Sequence, residues 1–160
     1  MHLSGKLRVT APKGRTIGAL HQPENLAVFL PGHAVVTETG VGGYDFVVSK
    51  ALGPMALKLV GTLIIQPIQR GLTYSFKAEA QHMLAGNVVL DLQMNFATDG
   101  DDTVVDYSGT LSATGMVGGI LERQHQRVQD RLNTGMGVFK TGLERANTRI
   151  SDATQAHSRT

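Results

Sequence analysis

The sequence contains no cysteine and no tryptophan, and only 5% of its 160 residues are aromatic. Because cysteine is missing, disulfides, thiolate metal ligands and a cysteine nucleophile are all excluded. No uninterrupted apolar run approaches the roughly 18 to 20 residues that a membrane-spanning helix needs. The first residues are not followed by the apolar segment of a signal peptide, so we expect a cytoplasmic protein.

Charge is also scarce, and the net charge at pH 7 is only +2. Residues 115–160 nevertheless carry 7 Lys and Arg against 4 Asp and Glu. This basic segment is compatible with peripheral contact to the inner face of a membrane or with an acidic partner, but a solvated helix face is the simpler interpretation. Nucleic-acid binding is not expected, because basic residues are not clustered and aromatic residues are few.

Strict alternation of apolar and polar residues dominates the chain and predicts β-strands with one buried face. The alternating segments are residues 3–9, 44–48, 55–65, 72–80, 88–96 and 105–113. Short connectors rich in Gly and Asp, such as Gly53-Pro54 and residues 99–102, separate successive strands. Alternation joined by such turns is typical of an antiparallel sheet.

Two stretches depart from alternation and are predicted to be helical. Residues 12–30 contain Pro12 and Pro23, which suit the first turns of two short helices. Residues 120–143 place apolar side chains at steps of three and four, which predicts one amphipathic helix long enough to cover the sheet. Residues 147–160 have Ile150 as their one sizeable apolar residue, so we expect a domain at 1–146 followed by a flexible tail at 147–160.

Several short motifs occur in the same order as these elements. They are Leu3-Ser4-Gly5, Ala11-Pro12, Ala19-Leu20, Leu30-Pro31-Gly32, Leu52-Gly53-Pro54-Met55, Val60-Gly61-Thr62-Leu63 and the glycine-rich residues 115–119. With this element order, residues 1 to about 145 resemble the CoxG family of carbon monoxide dehydrogenase subunits. That family belongs to the START and polyketide-cyclase-like (SRPBCC) superfamily.

The resemblance implies an α+β helix-grip fold: a curved seven-stranded antiparallel sheet wrapped around a long C-terminal helix, with two short helices between strands 1 and 2. It implies an accessory protein of a molybdenum hydroxylase of the carbon monoxide dehydrogenase type, a multi-subunit redox enzyme. The role would be membrane recruitment or delivery of a lipophilic small molecule, such as a quinone or lipid. The family offers no catalytic motif and no cofactor to transfer.

The inner face of the predicted sheet is the place for a ligand, because its side chains are almost all apolar. Glycine and alanine there, at Gly61, Ala78, Ala80, Gly109 and Ala113, are expected to leave room for a cavity. The residues predicted to line it are Phe46, Lys50, Leu57, Leu59, Tyr74, Phe76, Leu90, Leu92, Met94, Tyr107, Leu132, Met136 and Phe139.

Polar residues on this face are few. By the same alternation Lys50 falls on the inner face. It either binds a ligand carbonyl or leaves the sheet before the Gly53-Pro54 turn. We favour the second interpretation. Tyr74 and Tyr107 are core tyrosines that could also contact a ligand. The six histidines show no metal-ligand spacing, and no metal or catalytic residue is expected. Two alternatives stay open: a cyclase or dehydratase on the same fold, and a pure assembly factor with a solid core.

Overall fold

The computed structural model describes residues 1–30, 32–52, 54–82, 86–123 and 125–158. Its elements, in chain order, are β1 His2–Val9, α1 Lys13–Leu20, α2 Pro23–Ala27, β2 His33–Gly40, β3 Gly43–Leu52, β4 Met55–Gln69, β5 Thr73–His82, β6 Gly86–Asp99, β7 Asp102–Ala113, α3 Gly115–Arg123 and α4 His125–Ser158.

The seven strands form one antiparallel sheet in the order β1-β7-β6-β5-β4-β3-β2. Its inner face follows the predicted alternation: in β3, for example, Tyr44, Phe46 and Val48 are all at most 4% exposed. In neighbouring strands, inward-facing residues lie opposite inward-facing residues, as in the pair Phe76 and Leu92. One apolar face is therefore assembled from every strand, which confirms the predicted sheet and helix-grip architecture.

The two short helices lie between β1 and β2, as predicted, and α2 begins with Pro23 at its first turn. Leu20 of α1 and Leu26 of α2 are 1% and 4% exposed within the main core cluster. The hydroxyl of Tyr44 in β3 donates a hydrogen bond of 2.6 Å to the carbonyl of His21. Apolar packing and this hydrogen bond hold the helix pair against the inner face.

The C-terminal helical segment extends beyond residues 120–143, the range expected from the sequence, at both ends. Helix α3 begins at Gly115 and α4 runs from His125, with Gln124 between them outside the described residues. A Cβ atom added to Gly118 would lie 2.9 Å from the carbonyl oxygen of Ala113. The glycine-rich segment therefore packs closely against the end of β7 as a helix.

Helix α4 continues to Ser158, so it includes most of the segment 147–160 expected to be a flexible tail, and the domain boundary at residue 146 stays a prediction. Residues 159 and 160 lie outside the described residues. Asn147 donates a hydrogen bond of 3.2 Å to the carbonyl of Thr10 and accepts one from Arg15. Glu144, one turn earlier, accepts from both the backbone N–H and the hydroxyl of Thr10 at 3.0 Å. The expectation of a tail rested on the lack of apolar residues, and these contacts are made by polar side chains.

Candidate functional site

One end of the inner face is fully covered, and we call it the closed end. It consists of inner-face residues nearest the β4–β5 and β6–β7 connections: Ile65, Tyr74, Phe96 and Val105, which are between 1% and 7% exposed. The rings of Tyr74 and Phe96 meet edge to face with centroids 5.6 Å apart, and His21 packs on Tyr74 from the helix side. Helices α1 and α2 thus exclude water from this end.

The other end of the inner face, which we call the open end, is only half-buried. It consists of Leu59, Val88, Leu90, Leu111 and Ala113, near the ends of strands β3 and β5 and the start of α3. Helix α3 contacts β6 and β7 there. The first two turns of α4, residues 125–131, contain Val128 as their one apolar residue. Aliphatic side chains that alternate like core residues are therefore left partly accessible.

Most residues predicted to line a cavity are packed against each other as core. Each is at most 8% exposed in a single cluster: Tyr74, Phe76, Leu92, Met94, Tyr107, Leu132, Met136 and Phe139. They contact one another within this cluster, and the lined space expected among them stays a prediction. A ligand reaching the middle of the sheet would have to displace them.

Three of the predicted lining residues do lie at or beside the open end. Phe46 belongs to a second cluster with Val48, and the half-buried Leu59 and Leu90 pack against that cluster. The side chain of Leu57 lies outside the described part of the chain, as does Gly53 of the predicted turn. The open end is consequently the part of the predicted site that the structure brings together.

Lys50 does not leave the sheet as favoured from the sequence. It remains in β3, paired with Leu57 of β4, and its side chain is exposed. Since β3 ends two residues later, Lys50 lies at the rim of the inner face and not within it.

Gly61, one of the small residues expected to leave room for a cavity, lies directly against a neighbouring aromatic ring. A Cβ atom on Gly61 would lie 2.5 Å from the ring of Phe46, its partner in β3. A Cβ atom on Gly5 would overlap the hydroxyl of Tyr107, its partner in β7. Glycine at these two positions therefore accommodates a neighbouring ring, a use that apolar alternation alone does not reveal.

Both predicted tyrosines have partners for their hydroxyls. Tyr107 donates to Asn133 of α4 at 2.9 Å and accepts from Gln129 at 3.4 Å, and burial raises its pKa. The hydroxyl of Tyr74 accepts from the backbone N–H of Gly71 at 3.0 Å. Sequence reasoning missed Asn133 and Gln129, because they lie on a helix whose polar residues looked solvated. These tyrosines act as structural hydrogen-bonding groups.

An acid–base pair does not occur on the described part of the inner face. Apart from the tyrosines, the ionisable residues that share its parity are Glu38, Lys50 and His82, all in the edge strand or at a strand end. The described residues also contain no group of three or more His, Asp or Glu that could hold a metal ion. Among the helices that the structure describes, none is long and apolar enough to cross a membrane.

Solved structures with this architecture are numerous. A conserved protein from Geobacillus kaustophilus has a TM-score of 0.74 at 13% identity, over 93% of this chain and 96% of that one. A STAR-related lipid transfer protein from Xanthomonas axonopodis has 0.58 at 10%, over 88% and 84%. The Zhui aromatase/cyclase from Streptomyces sp. R1128 has 0.55 at 16%, over 87% and 93%.

These similarities place the protein in the START and polyketide-cyclase-like class of helix-grip folds. The family model of the carbon monoxide dehydrogenase subunit CoxG matches residues 5–151, nearly the whole chain. The chain therefore belongs to the CoxG family. No curated protein shows significant sequence similarity to it.

Proposed function

We propose that this CoxG-family protein is a non-catalytic binding module that holds a lipophilic molecule, a quinone or a lipid, between the open end of the sheet and its helices. The observation that carries the proposal is the set of half-buried aliphatic residues there, Leu59, Val88, Leu90 and Leu111. The exposed part of such aliphatic side chains gains free energy when an apolar ligand covers it, at about 25 cal/mol per Å².

The surroundings of this surface suit a binding site better than an enzyme. The described inner face carries no carboxylate beside His82, the imidazole at the end of β5, and the hydroxyls of Tyr44, Tyr74 and Tyr107 are hydrogen-bonded within the protein. General acid–base chemistry requires such a group within hydrogen-bond reach of substrate. The name of one structural neighbour, a lipid transfer protein, agrees with a lipophilic ligand on this fold.

The site we propose comprises Phe46, Leu59 and Leu90 from the predicted set, with Val88 and Leu111 added by the structure. The packed residues Leu132, Met136 and Phe139 form its floor toward α4. Methionine is unbranched and adapts its shape readily, so Met136 suits the boundary between the core and a flexible ligand. Lys50, at the rim, suits a polar group of the ligand that remains near water.

Native mass spectrometry of the protein purified from its own host tests this proposal. We expect wild type to carry one lipophilic molecule, which denaturation releases for identification. Leu90→Gln places an amide in the proposed site and should lose that molecule, whereas Val138→Gln, on the exposed side of α4, should retain it. Wild type with an unmodified mass, or retention in Leu90→Gln, would contradict the proposal.

The wider role follows from the family. We propose that the module is accessory to a molybdenum hydroxylase of the carbon monoxide dehydrogenase type, in the cytoplasm and peripheral to the inner face of the membrane. The supporting observations are the family membership and the basic segment 115–160. Affinity purification from the host should recover the hydroxylase subunits with the tagged protein. Recovery equal to that with an untagged strain would argue against this role.

A further inference from the structure

A row of valines crosses the outer face of the sheet toward its free edge. Val35 of β2 lies opposite Val47 of β3, which lies opposite Val60 of β4. Val35 and Val60 are each 55% exposed. The row lines a groove of about 490 Å³ together with polar residues such as Thr37 and Thr62. Exposed aliphatic residues in register on three adjacent strands form a continuous surface, in contrast to scattered single residues.

The two edge strands of the sheet differ in how they are protected. Edge strand β1 carries Lys6 and Arg8, and Arg8 forms ion pairs with Asp99 and Asp102 beside it. Edge strand β2 carries one formal charge, Glu38, and no proline over its eight residues. Charged residues and proline on edge strands are the usual means of preventing pairing with another strand. By this criterion β2 is open to pairing.

Opposite charges lie near the two ends of β2. Glu38 lies near its C-terminal end, and Lys50 lies in β3 beside its N-terminal end. Within the residues that the structure describes, neither takes part in an ion pair. Gly32 separates Lys50 from the free edge, because a Cβ atom on Gly32 would lie 3.0 Å from that of Lys50. The absence of a side chain there leaves Lys50 accessible from the edge.

We propose that β2 pairs antiparallel with β2 of a second copy of this chain, about a two-fold axis at Val35. Directly opposed residues in antiparallel strands share a face, so Val35 meets Val35 of the second copy on the outer face. The valine rows of the two copies then join into one row of six. A two-fold contact repeats every interaction, so each favourable pair counts twice.

The same register brings Glu38 of one copy close to Lys50 of the other. With Val35 on the axis, Glu38 of one copy lies opposite Gly32 of the other, on the face that Lys50 shares. Two strand spacings of about 4.8 Å separate the backbones of Glu38 and Lys50, which their side chains can bridge over the glycine. The axis generates this ion pair twice. Charge complementarity at both ends thus favours a second copy as the occupant of the edge.

Cysteine cross-linking tests the register, because the chain contains no cysteine. In Val35→Cys the two thiols face each other across the axis and should form an intermolecular disulfide under mild oxidation. In Thr37→Cys, on the same face of the same strand, the two thiols lie about 13 Å apart along the strands and should not cross-link. Equal cross-linking of the two variants, or none in Val35→Cys, would overturn the proposal.

Sedimentation velocity on charge variants tests the interface itself. Wild type should sediment as a dimer, and Glu38→Lys or Lys50→Glu alone should weaken the dimer by roughly tenfold in dissociation constant. The double variant Glu38→Lys/Lys50→Glu should recover dimerisation, a result that unfolding of the single variants cannot mimic. Wild type that remains monomeric at high concentration would overturn the proposal and leave the valine row to a different partner.

Discussion

At the closed end of the inner face, Phe96 and Val105 are 2% and 1% exposed, whereas Leu90 and Leu111 at the open end remain half-buried. Both pairs lie on the same two strands, β6 and β7, and both obey the same alternation. The difference comes from the helices. Helices α1 and α2 add the fully buried Leu20 and Leu26 to the core, while at the open end α3 contacts β6 and β7 and the first turns of α4 offer Val128 as their one apolar residue.

This comparison separates the stability of the fold from its proposed binding capacity. Complete burial at the closed end contributes its full hydrophobic free energy without a ligand. At the open end part of that free energy is still available, and a bound apolar molecule would supply it. Substitutions at the closed end should therefore lower the stability of the fold. Substitutions at the open end should lower the affinity for the ligand.

The largest expected effect is at the closed end. Phe96→Ala removes a ring that packs on Tyr74. It should leave a cavity, because the strands of a paired sheet cannot move inward to fill the space. We expect the free energy of unfolding to fall by about 3 to 5 kcal/mol. Urea denaturation followed by circular dichroism measures it. A loss no greater than that of Leu90→Ala would contradict the distinction between the two ends.

Gly61→Ala tests how tightly the sheet is packed where the two ends meet. Its Cβ atom would overlap the backbone oxygen of Glu79 and lie 2.5 Å from the Phe46 ring, so the strands must separate. We expect a loss of about 1 to 3 kcal/mol in unfolding free energy. Gly18→Ala in α1 is the matched control, because its Cβ atom would meet nothing within 4 Å. That control should keep or raise stability, and equal losses in the two variants would show that the strands are not tightly packed at Gly61.

Leu90→Ala should cost less than an ordinary core leucine. Because the side chain is only partly buried, we expect about 1 to 2 kcal/mol, less than the cost of truncating a fully buried leucine. Saturating amounts of the ligand identified by mass spectrometry should stabilise wild type more than this variant in the same urea titration. A loss approaching that of Phe96→Ala would mean that the open end is as fully packed as the closed end.

Tyr107→Phe is expected to have the smallest effect, because it removes one hydrogen bond to Asn133 and leaves the ring in place. We expect a loss of about 0.5 to 1.5 kcal/mol near neutral pH. Burial raises the pKa of Tyr107 in the folded protein, so its contribution is complete below the unfolded pKa near 10 and is lost as pH rises through the folded pKa. Unfolding free energies between pH 9 and 12 should therefore fall more steeply in wild type than in Tyr107→Phe. Parallel curves would contradict the assignment.

Much of the fold could be predicted because the alternation of apolar and polar residues within each strand indicates which of its faces is buried. Residues such as Phe46, Phe76 and Leu92 alternate with polar neighbours, so their inward orientation follows from the sequence. The end of α4 could not be predicted in this way. Its anchors, Glu144 and Asn147, bond to Thr10, which is more than 130 residues away in the chain.

The site was harder to predict than the fold. Alternation shows that Leu90 and Leu92 both point inward, but it cannot show that helices cover Leu92 and leave Leu90 half-exposed. Small residues were misleading for a related reason. Gly61 was expected to leave room for a cavity, yet the ring of Phe46 lies against it from the neighbouring strand.

A tryptophan placed at each end tests the central claim most directly, since the chain has none of its own. Leu111→Trp reports on the open end, and Phe96→Trp, an exchange of one aromatic for another, reports on the closed end. Decylubiquinone quenches an indole that it contacts, because the quinone accepts an electron from the excited ring. We predict saturable quenching of Leu111→Trp and only weak, non-saturating quenching of Phe96→Trp. Equal quenching at both ends, or stronger quenching of Phe96→Trp, would contradict the proposed binding site at the open end.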